Sequence, residues 1–252
     1  MLRRRELFAT TTLLLALGDA GCDARKPVAE AGTTNRPPVA VRSDSAAVAG
    51  ANPLPFSLED DTTLEAQLTA AEKLVRAGDL AGAKAAYAAF LQAHPDSEEG
   101  QFNYAHLLAR SGQTNEAIQH YETALKLAPT YAEAHNNLGN LLVREQRVGD
   151  AIGHFEAALK LNPTNSTSLN NLGTALASSG QLSNAIPNFV RAVQLNPDYA
   201  EAWVNLGRSA LTLGRLDEAI PALETAVKLR PDLAPARQSL EQARRLKRAR
   251  GY

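Results

Sequence analysis

Two sets of side chains in this 252-residue sequence return at one fixed interval, and both are suited to gripping a polypeptide. Asn103, Asn137, Asn171 and Asn205 follow one another at 34 residues, as do Arg76, Arg110 and Arg144. A carboxamide offers both donor and acceptor, so an asparagine can satisfy backbone groups of a bound chain on either side. A guanidinium is a planar fork that fits a carboxylate, which adds a preference for Asp or Glu in the ligand. Other candidates for chemistry do not assemble. His94, His106, His120, His135 and His154 are scattered, without two on one helix face at metalloprotease spacing, so no metal ligation is expected of them. There is no serine elbow and no dinucleotide fingerprint, and "GNLLVREQRVG" lacks the lysine followed by Ser or Thr of a phosphate-binding loop. Glu145 and Asp150 lie near a turn and read as capping or solubilising groups. The chain reads as a non-enzyme, with no catalytic residue and no cofactor.

For side chains 34 residues apart to stand in a row, the backbone must repeat its geometry at that interval. It does so around a comb of prolines at 95, 129, 163, 197 and 231. Each unit has apolar residues at helical spacing, a polar turn, and a second helical stretch ending in a phrase such as "LKLNP", which makes it a helix hairpin. Gly139, Gly173 and Gly207 fall on first helices and are expected to face Ala151, Ala185 and Ala219 on the second, small against small. Leu138, Leu172, Leu206, Leu142, Leu176, Phe155, Phe189 and Leu223 are expected to fill the space around that contact. One hairpin cannot bury both of its apolar faces, whereas a stack can. After Pro231, Leu233, Ala236, Leu240, Ala243 and Leu246 form one apolar stripe on a helix otherwise polar, as a terminal cap requires.

The pattern resembles the tetratricopeptide repeat family, whose signature sets Trp, Leu-Gly, an aromatic, Ala, another aromatic and Pro along 34 residues. Trp203, Leu206, Gly207, Ala219, Leu223, Ala226 and Pro231 come nearest to it, although Ala210 takes an aromatic slot. Tyr121, Phe155 and Phe189 fill the second aromatic slot in three other units. The first unit departs furthest, with Ala70 in the leucine slot and Phe90 in place of alanine. The resemblance implies an all-α fold: a right-handed superhelical solenoid of five hairpins, about ten helices, plus a C-terminal capping helix. The repeats are set at 64–97, 98–131, 132–165, 166–199 and 200–233 within an array from 61 to 233, and the cap and basic tail at 234–252. First helices line the concave face in this family, so the resemblance places Arg76, Arg110, Arg144, Asn103, Asn137, Asn171 and Asn205 in a groove for a protein or an extended, acidic peptide. Asparagines that only support interhelix packing, and arginines that only complement helix dipoles, are the plainer alternative. Chaperone-tail-binding arrays clamp a terminal carboxylate with lysines; the corresponding places here hold Leu68, Phe102, Glu133 and Asn136, which disfavours that role.

Net charge and cysteine usage narrow the partners. Lysine plus arginine number 26 against 27 acidic residues, leaving no basic field for nucleic acid. The one cysteine, Cys22, excludes a disulfide framework within the chain. The N-terminus reads as an address: Arg3, Arg4 and Arg5 precede an apolar run from Leu7 to Leu17, about half of the ~20 residues a membrane-spanning helix needs. "RRELF" resembles the twin-arginine signature, and the ordinary secretory route fits as well. Ala20 and Gly21 suit a lipoprotein cleavage site before Cys22, while Asp19 does not, so lipidation at Cys22 stands beside cleavage by an ordinary signal peptidase. Residues 1–22 are thus a signal peptide and 23–60, rich in Ala, Pro, Ser, Thr and Gly, a disordered linker. The expectation is an exported scaffold of a bacterial envelope, free in the periplasm or, where Cys22 is lipidated, anchored facing it. A recognition module for a separate glycosyltransferase and a cytoplasmic adaptor are the rival readings. The basic tail, Arg244, Arg245, Lys247, Arg248 and Arg250, reads as a dipole-matched face of the cap or as a contact for anionic lipid.

Overall fold

Each 34-residue unit becomes two helices because its middle carries a residue able to leave the helix with positive φ. In a computed structural model that describes residues 58–251, this slot holds Gly78, Gly112, Gly180 and Gly214, with φ between 71° and 82°. Gln146 occupies it in the third unit at φ 59°, the one described residue other than glycine with positive φ. The residue after the slot donates its N–H back into the helix just ended, as Gln113 does to Leu108 O (2.9 Å), Arg147 to Leu142 O (2.8 Å) and Gln181 to Leu176 O (2.8 Å). Carbonyls that would be orphaned at the helix end are thereby paired.

The hairpins are α1 (Leu58–Arg76) with α2 (Leu80–Ala93), α3 (Glu98–Arg110) with α4 (Thr114–Leu127), α5 (Ala132–Arg144) with α6 (Val148–Leu161), α7 (Ser166–Ser178) with α8 (Leu182–Leu195), and α9 (Ala200–Thr212) with α10 (Leu216–Leu229). A last helix, α11 (Ala234–Ala249), follows, and no strand occurs among the described residues. Helix α1 begins at Leu58, so residues 58–60 of the expected linker are already helical. Residues 1–57, which hold the expected signal peptide, Cys22 and the rest of that linker, lie outside the described residues. Among the described residues no helix is long and apolar enough to cross a membrane. Pro187 and Pro221 do not break their helices: α8 and α10 each run 14 residues, as α6 does.

Each second helix packs on its own first helix and on the first helix of the next unit, and successive first helices touch from α3 to α9. The result is the right-handed solenoid of five hairpins with a terminal cap. Its core is continuous from Leu68 in α1 to Ala222 in α10. Within a hairpin a large side chain presses on the glycine, and at Gly207 the expected alanine is also in reach, with Ala219 O 3.2 Å from an added Cβ. A Cβ added to Gly139 would stand 2.6 Å from Phe155 Cε1, one on Gly173 2.6 Å from Phe189 Cε1, and one on Gly207 2.5 Å from Leu223 Cγ. A flat ring laid on bare helix backbone brings the helices together and fills the gap in one step, with Ala151, Ala185 and Ala219 wholly buried alongside. The first unit solves its irregularity the same way: Phe90 is buried against Gly100 of α3, where an added Cβ would again be 2.6 Å from the ring.

The cap is seated by apolar and charged contacts together. Ala236, Leu240 and Ala243 are buried against α9 and α10. Around them Arg244 pairs with Glu224 at 2.7 Å, Lys247 with Asp217 at 2.8 Å, and Arg250 donates to Gly214 O at 3.1 Å. Much of the basic tail therefore has partners inside the chain.

Glycine substitutions separate close packing from helix propensity. Gly173→Ala is expected to lower stability by about 1 to 2 kcal/mol, because the clash outweighs the gain of about 1 kcal/mol from alanine's helix preference. Gly153→Ala, with open space around its Cβ position in α6, should raise stability by about 1 kcal/mol. Urea denaturation of both variants measures the contrast, and equal effects would contradict the packing described.

Candidate functional site

Positions spaced 4, 3 and 4 residues apart share one face of a helix. On α5 that stripe is Glu133, Asn137, Asn140 and Arg144; on α3 it is Glu99, Asn103, His106 and Arg110. The α1 stripe reads Glu65, Thr69, Glu72 and Arg76, and the α9 stripe Glu201, Asn205, Arg208 and Thr212. On α7 it is Thr167, Asn171, Thr174 and Ser178, without a charge. Every one of these side chains is exposed or half-buried, so the row of first helices presents a continuous polar surface.

The asparagines are placed by one another. Asn171 Nδ2 donates to Asn136 Oδ1 (3.1 Å), and Asn205 Nδ2 donates to Asn170 Oδ1 (2.9 Å) and Thr174 Oγ1 (3.3 Å). Asn136 Oδ1 also accepts from the hydroxyl of buried Ser168 (3.0 Å), while Asn170 Nδ2 donates to Tyr199 Oη (3.2 Å). Asn103 Nδ2 donates to Glu72 Oε1 (3.4 Å). Asn137 shares a hydrogen bond with Tyr121, whose phenol is pushed up, chiefly by burial. The bonds between first helices join positions 31 to 35 residues apart, close to one repeat, so the helices lie side by side in parallel. Their N-terminal ends form one edge of the surface and their C-terminal ends the other, about 16 Å apart over eleven residues. The asparagine row thus carries structural bonds as well as facing solvent.

The arginines stand at the C-terminal edge, each the last residue of its helix. Arg76 is highly exposed and lies 3.5 Å from Glu72, one helical turn back. Arg110 and Arg144 are exposed and form no ion pair among the described residues. The same slot holds Ser178 and Thr212 in the last two hairpins, although the α9 stripe carries Arg208 one turn before Thr212. Dipole complementation alone does not explain this, since α7 ends without any basic residue in its last turn.

Sequence spacing did not reveal a second constellation. The fourth residue of a repeat donates to the carbonyl of the preceding comb proline: Gln101 Nε2 to Pro95 O (2.9 Å), His135 Nε2 to Pro129 O (3.2 Å) and Trp203 Nε1 to Pro197 O (2.8 Å). What these side chains share is an N–H at the right reach. In two repeats the same side chain also meets a histidine 19 residues on: Gln101 Oε1 lies 2.6 Å from His120 Nδ1, and His135 Nδ1 lies 2.9 Å from His154 Nδ1. The shared 19-residue offset was the signal, legible only once the two helices are paired. Elsewhere, an open cavity of about 560 Å³ between α10 and α11 is lined by Ile220, Leu240, Glu241 and cations of the cap.

Comparison with known proteins agrees on the repeat. Models described as tetratricopeptide or TPR repeats match residues 65–97, 105–146, 132–165 and 170–234, together more than half of the chain. No curated protein sequence matches it. Among solved structures, MamA is 25% identical over 69% of this chain and 95% of its own, with a TM-score of 0.63. YrrB, described as a TPR protein with an unusual peptide-binding site, is 22% identical over 69% of this chain and 90% of its own, with a TM-score of 0.63. Pseudomonas aeruginosa pilF is 18% identical over 75% and 93%, with a TM-score of 0.60.

The hydrogen-bonded row makes a direct prediction. Asn136→Ala removes the acceptor of both Ser168 and Asn171 and is expected to cost about 1 to 3 kcal/mol, because a buried hydroxyl loses its partner. Asn140→Ala, at an exposed position of the same helix, should stay within about 0.5 kcal/mol of wild type. Thermal and urea unfolding of the two variants read the difference.

Proposed function

From the premise that this chain belongs to the tetratricopeptide repeat family, we propose that it is a non-catalytic scaffold of a bacterial envelope that holds a partner's extended, acidic segment against its first helices. The observation that carries the reading is the confinement of Arg76, Arg110 and Arg144 to one edge of the parallel first helices, beside a row of asparagines. Arg110 and Arg144 form no ion pair among the described residues and stand at equivalent points of adjacent repeats. A ligand laid along the solenoid would meet an edge cation at each of the first three hairpins, neutral hydroxyls at the fourth, and Arg208 beside Thr212 at the fifth. Tolerance of sequence, with a demand for acidity near one end, is the specificity this surface supports. The fold likeness to YrrB and MamA supports an interaction scaffold, and the arginine edge adds the preference for acidic partners.

The envelope assignment rests on the N-terminal sequence: a basic start, a short apolar run, and Cys22 after Ala20 and Gly21. Lipidation there would tether the array through the residues that precede Leu58, leaving its first-helix surface free to engage a partner in the same compartment.

Two measurements test these readings. A partner peptide captured from envelope extract with wild-type protein, then titrated, should bind Arg110→Ala about ten- to a hundredfold more weakly at low salt, the equivalent of about 1.5 to 3 kcal/mol for one charge-assisted contact. Melting should barely move in that variant, whereas Asn137→Ala should melt earlier because Tyr121 loses its partner. Unchanged affinity in Arg110→Ala would move the binding surface elsewhere. Separately, wild-type protein should fractionate with membranes and Cys22→Ala should be released, and a wild type already soluble would exclude the lipid.

A further inference from the structure

We propose that the first-helix surface reads a partner segment from both sides: an extended chain lies along the solenoid over α1, α3 and α5, its acidic side chains turned to the arginine edge and its basic side chains to a parallel glutamate edge. This rests on the reading above that the first helices form the binding surface. Glu65, Glu99 and Glu133 stand eleven residues before Arg76, Arg110 and Arg144 on the same three helices, and all six side chains are exposed. Eleven residues make about three turns, so each helix carries a carboxylate and a guanidinium on one face, about 16 Å apart.

Glutamate near a helix N-terminus and arginine at the C-terminus is also what the macrodipole favours. Two observations set this order apart from dipole matching. Helix α1 starts at Leu58, so Glu65 is its eighth residue, beyond the first turn where a terminal dipole acts, yet it keeps its place in the row. Helix α7 has the same dipole as α3 and α5, all thirteen residues long, but carries no acidic residue in its first turn and no basic one in its last. Helix α9 keeps the order, Glu201 before Arg208, although Glu201 there stands 3.6 Å from Arg230. Carboxylates of successive helices act on a common point: after burial, Glu133, Glu99 and Glu98 push the Tyr131 phenol up. The acidic edge is therefore continuous from α3 to α5. At the other edge Glu72 takes up Arg76 at 3.5 Å and Glu145 caps α5 just after Arg144, while Arg110 and Arg144 form no ion pair among the described residues.

The width between the edges selects the form of the ligand. Successive side chains of an extended chain point to opposite sides, so a backbone laid over the asparagine positions between the edges has each flank about 8 Å from one row of charge. Long charged side chains meet across such a gap. Strict alternation of Glu and Lys gives every carboxylate to the arginines and every ammonium to the glutamates, whereas paired blocks of the same residues put both signs on both sides. Packed helices lie ~8 to 10 Å apart, so three first helices are spanned by about six residues at ~3.3 Å each.

Three short probes test this: Glu-Lys-Glu-Lys-Glu-Lys-Glu-Lys, its isomer Glu-Glu-Lys-Lys-Glu-Glu-Lys-Lys, and Glu-Ala-Glu-Ala-Glu-Ala-Glu-Ala. Isothermal titration of full-length protein at low salt should show the alternating peptide binding at least about tenfold more tightly than its isomer, half of whose charges face their own sign, with the preference lost at high salt. Glu133→Gln should weaken the alternating peptide without weakening the Glu-Ala peptide, and Arg110→Ala should weaken both, with melting curves to show that each variant is folded. Equal affinity for the two isomers, or no binding of the alternating peptide, would overturn the proposal. A Glu-Ala peptide that binds as tightly as the alternating one and depends on Arg110 would overturn the two-sided demand and leave the first-helix surface standing. Affinities that respond to neither variant would overturn both.

Discussion

A phenyl ring pressed onto a bare turn of helix is the contact on which this molecule depends. Phe155 on Gly139, Phe189 on Gly173 and the branched end of Leu223 on Gly207 set how near the two helices of a hairpin can come. That nearness makes each hairpin thin and leaves its outer faces apolar, so the next hairpin must cover them. The same order repeats through a single core from Leu68 to Ala222, and it ends where α11 substitutes ion pairs for a further hairpin. Parallel first helices follow from this stacking, and the side chains they display follow from the parallel order.

The asparagine row shows how scaffold and surface share residues. Asn171 and Asn205 spend their donors on the preceding repeat, and Asn137 is bonded to Tyr121. Their first service is to fix one first helix against the next. The arginines differ: they sit on an exposed edge of the first three hairpins, and Arg110 and Arg144 form no ion pair among the described residues. Among the first-helix stripes only that of α7 lacks a charged residue.

The proline comb and its 34-residue interval made the hairpins, their number and the terminal cap legible, because periodicity is local information repeated. Partners across helices were less accessible. Glycine was expected against alanine, and the side chain four residues further along, which that expectation left out, reaches it first, since side chains lean toward a helix's N-terminus. The asparagines announced themselves by spacing, but their partners, Asn136, Asn170, Glu72 and Tyr121, are set by neighbouring elements. His135 and His154 seemed unrelated because 19 residues match no single-helix period; only the closing of a hairpin brings them to 2.9 Å. Helix α1 reaches three residues into the expected linker.

The central claim is that the row of first helices, and not the second helices behind them, is the surface that meets a partner. Site-specific photo-crosslinking in living cells tests it most directly, with a photoreactive side chain placed at Asn140 on α5 or at exposed Glu156 on α6. The account predicts a discrete adduct from position 140, competed by free acidic peptide, and none from position 156. An adduct formed from position 156 and absent from 140 would contradict it.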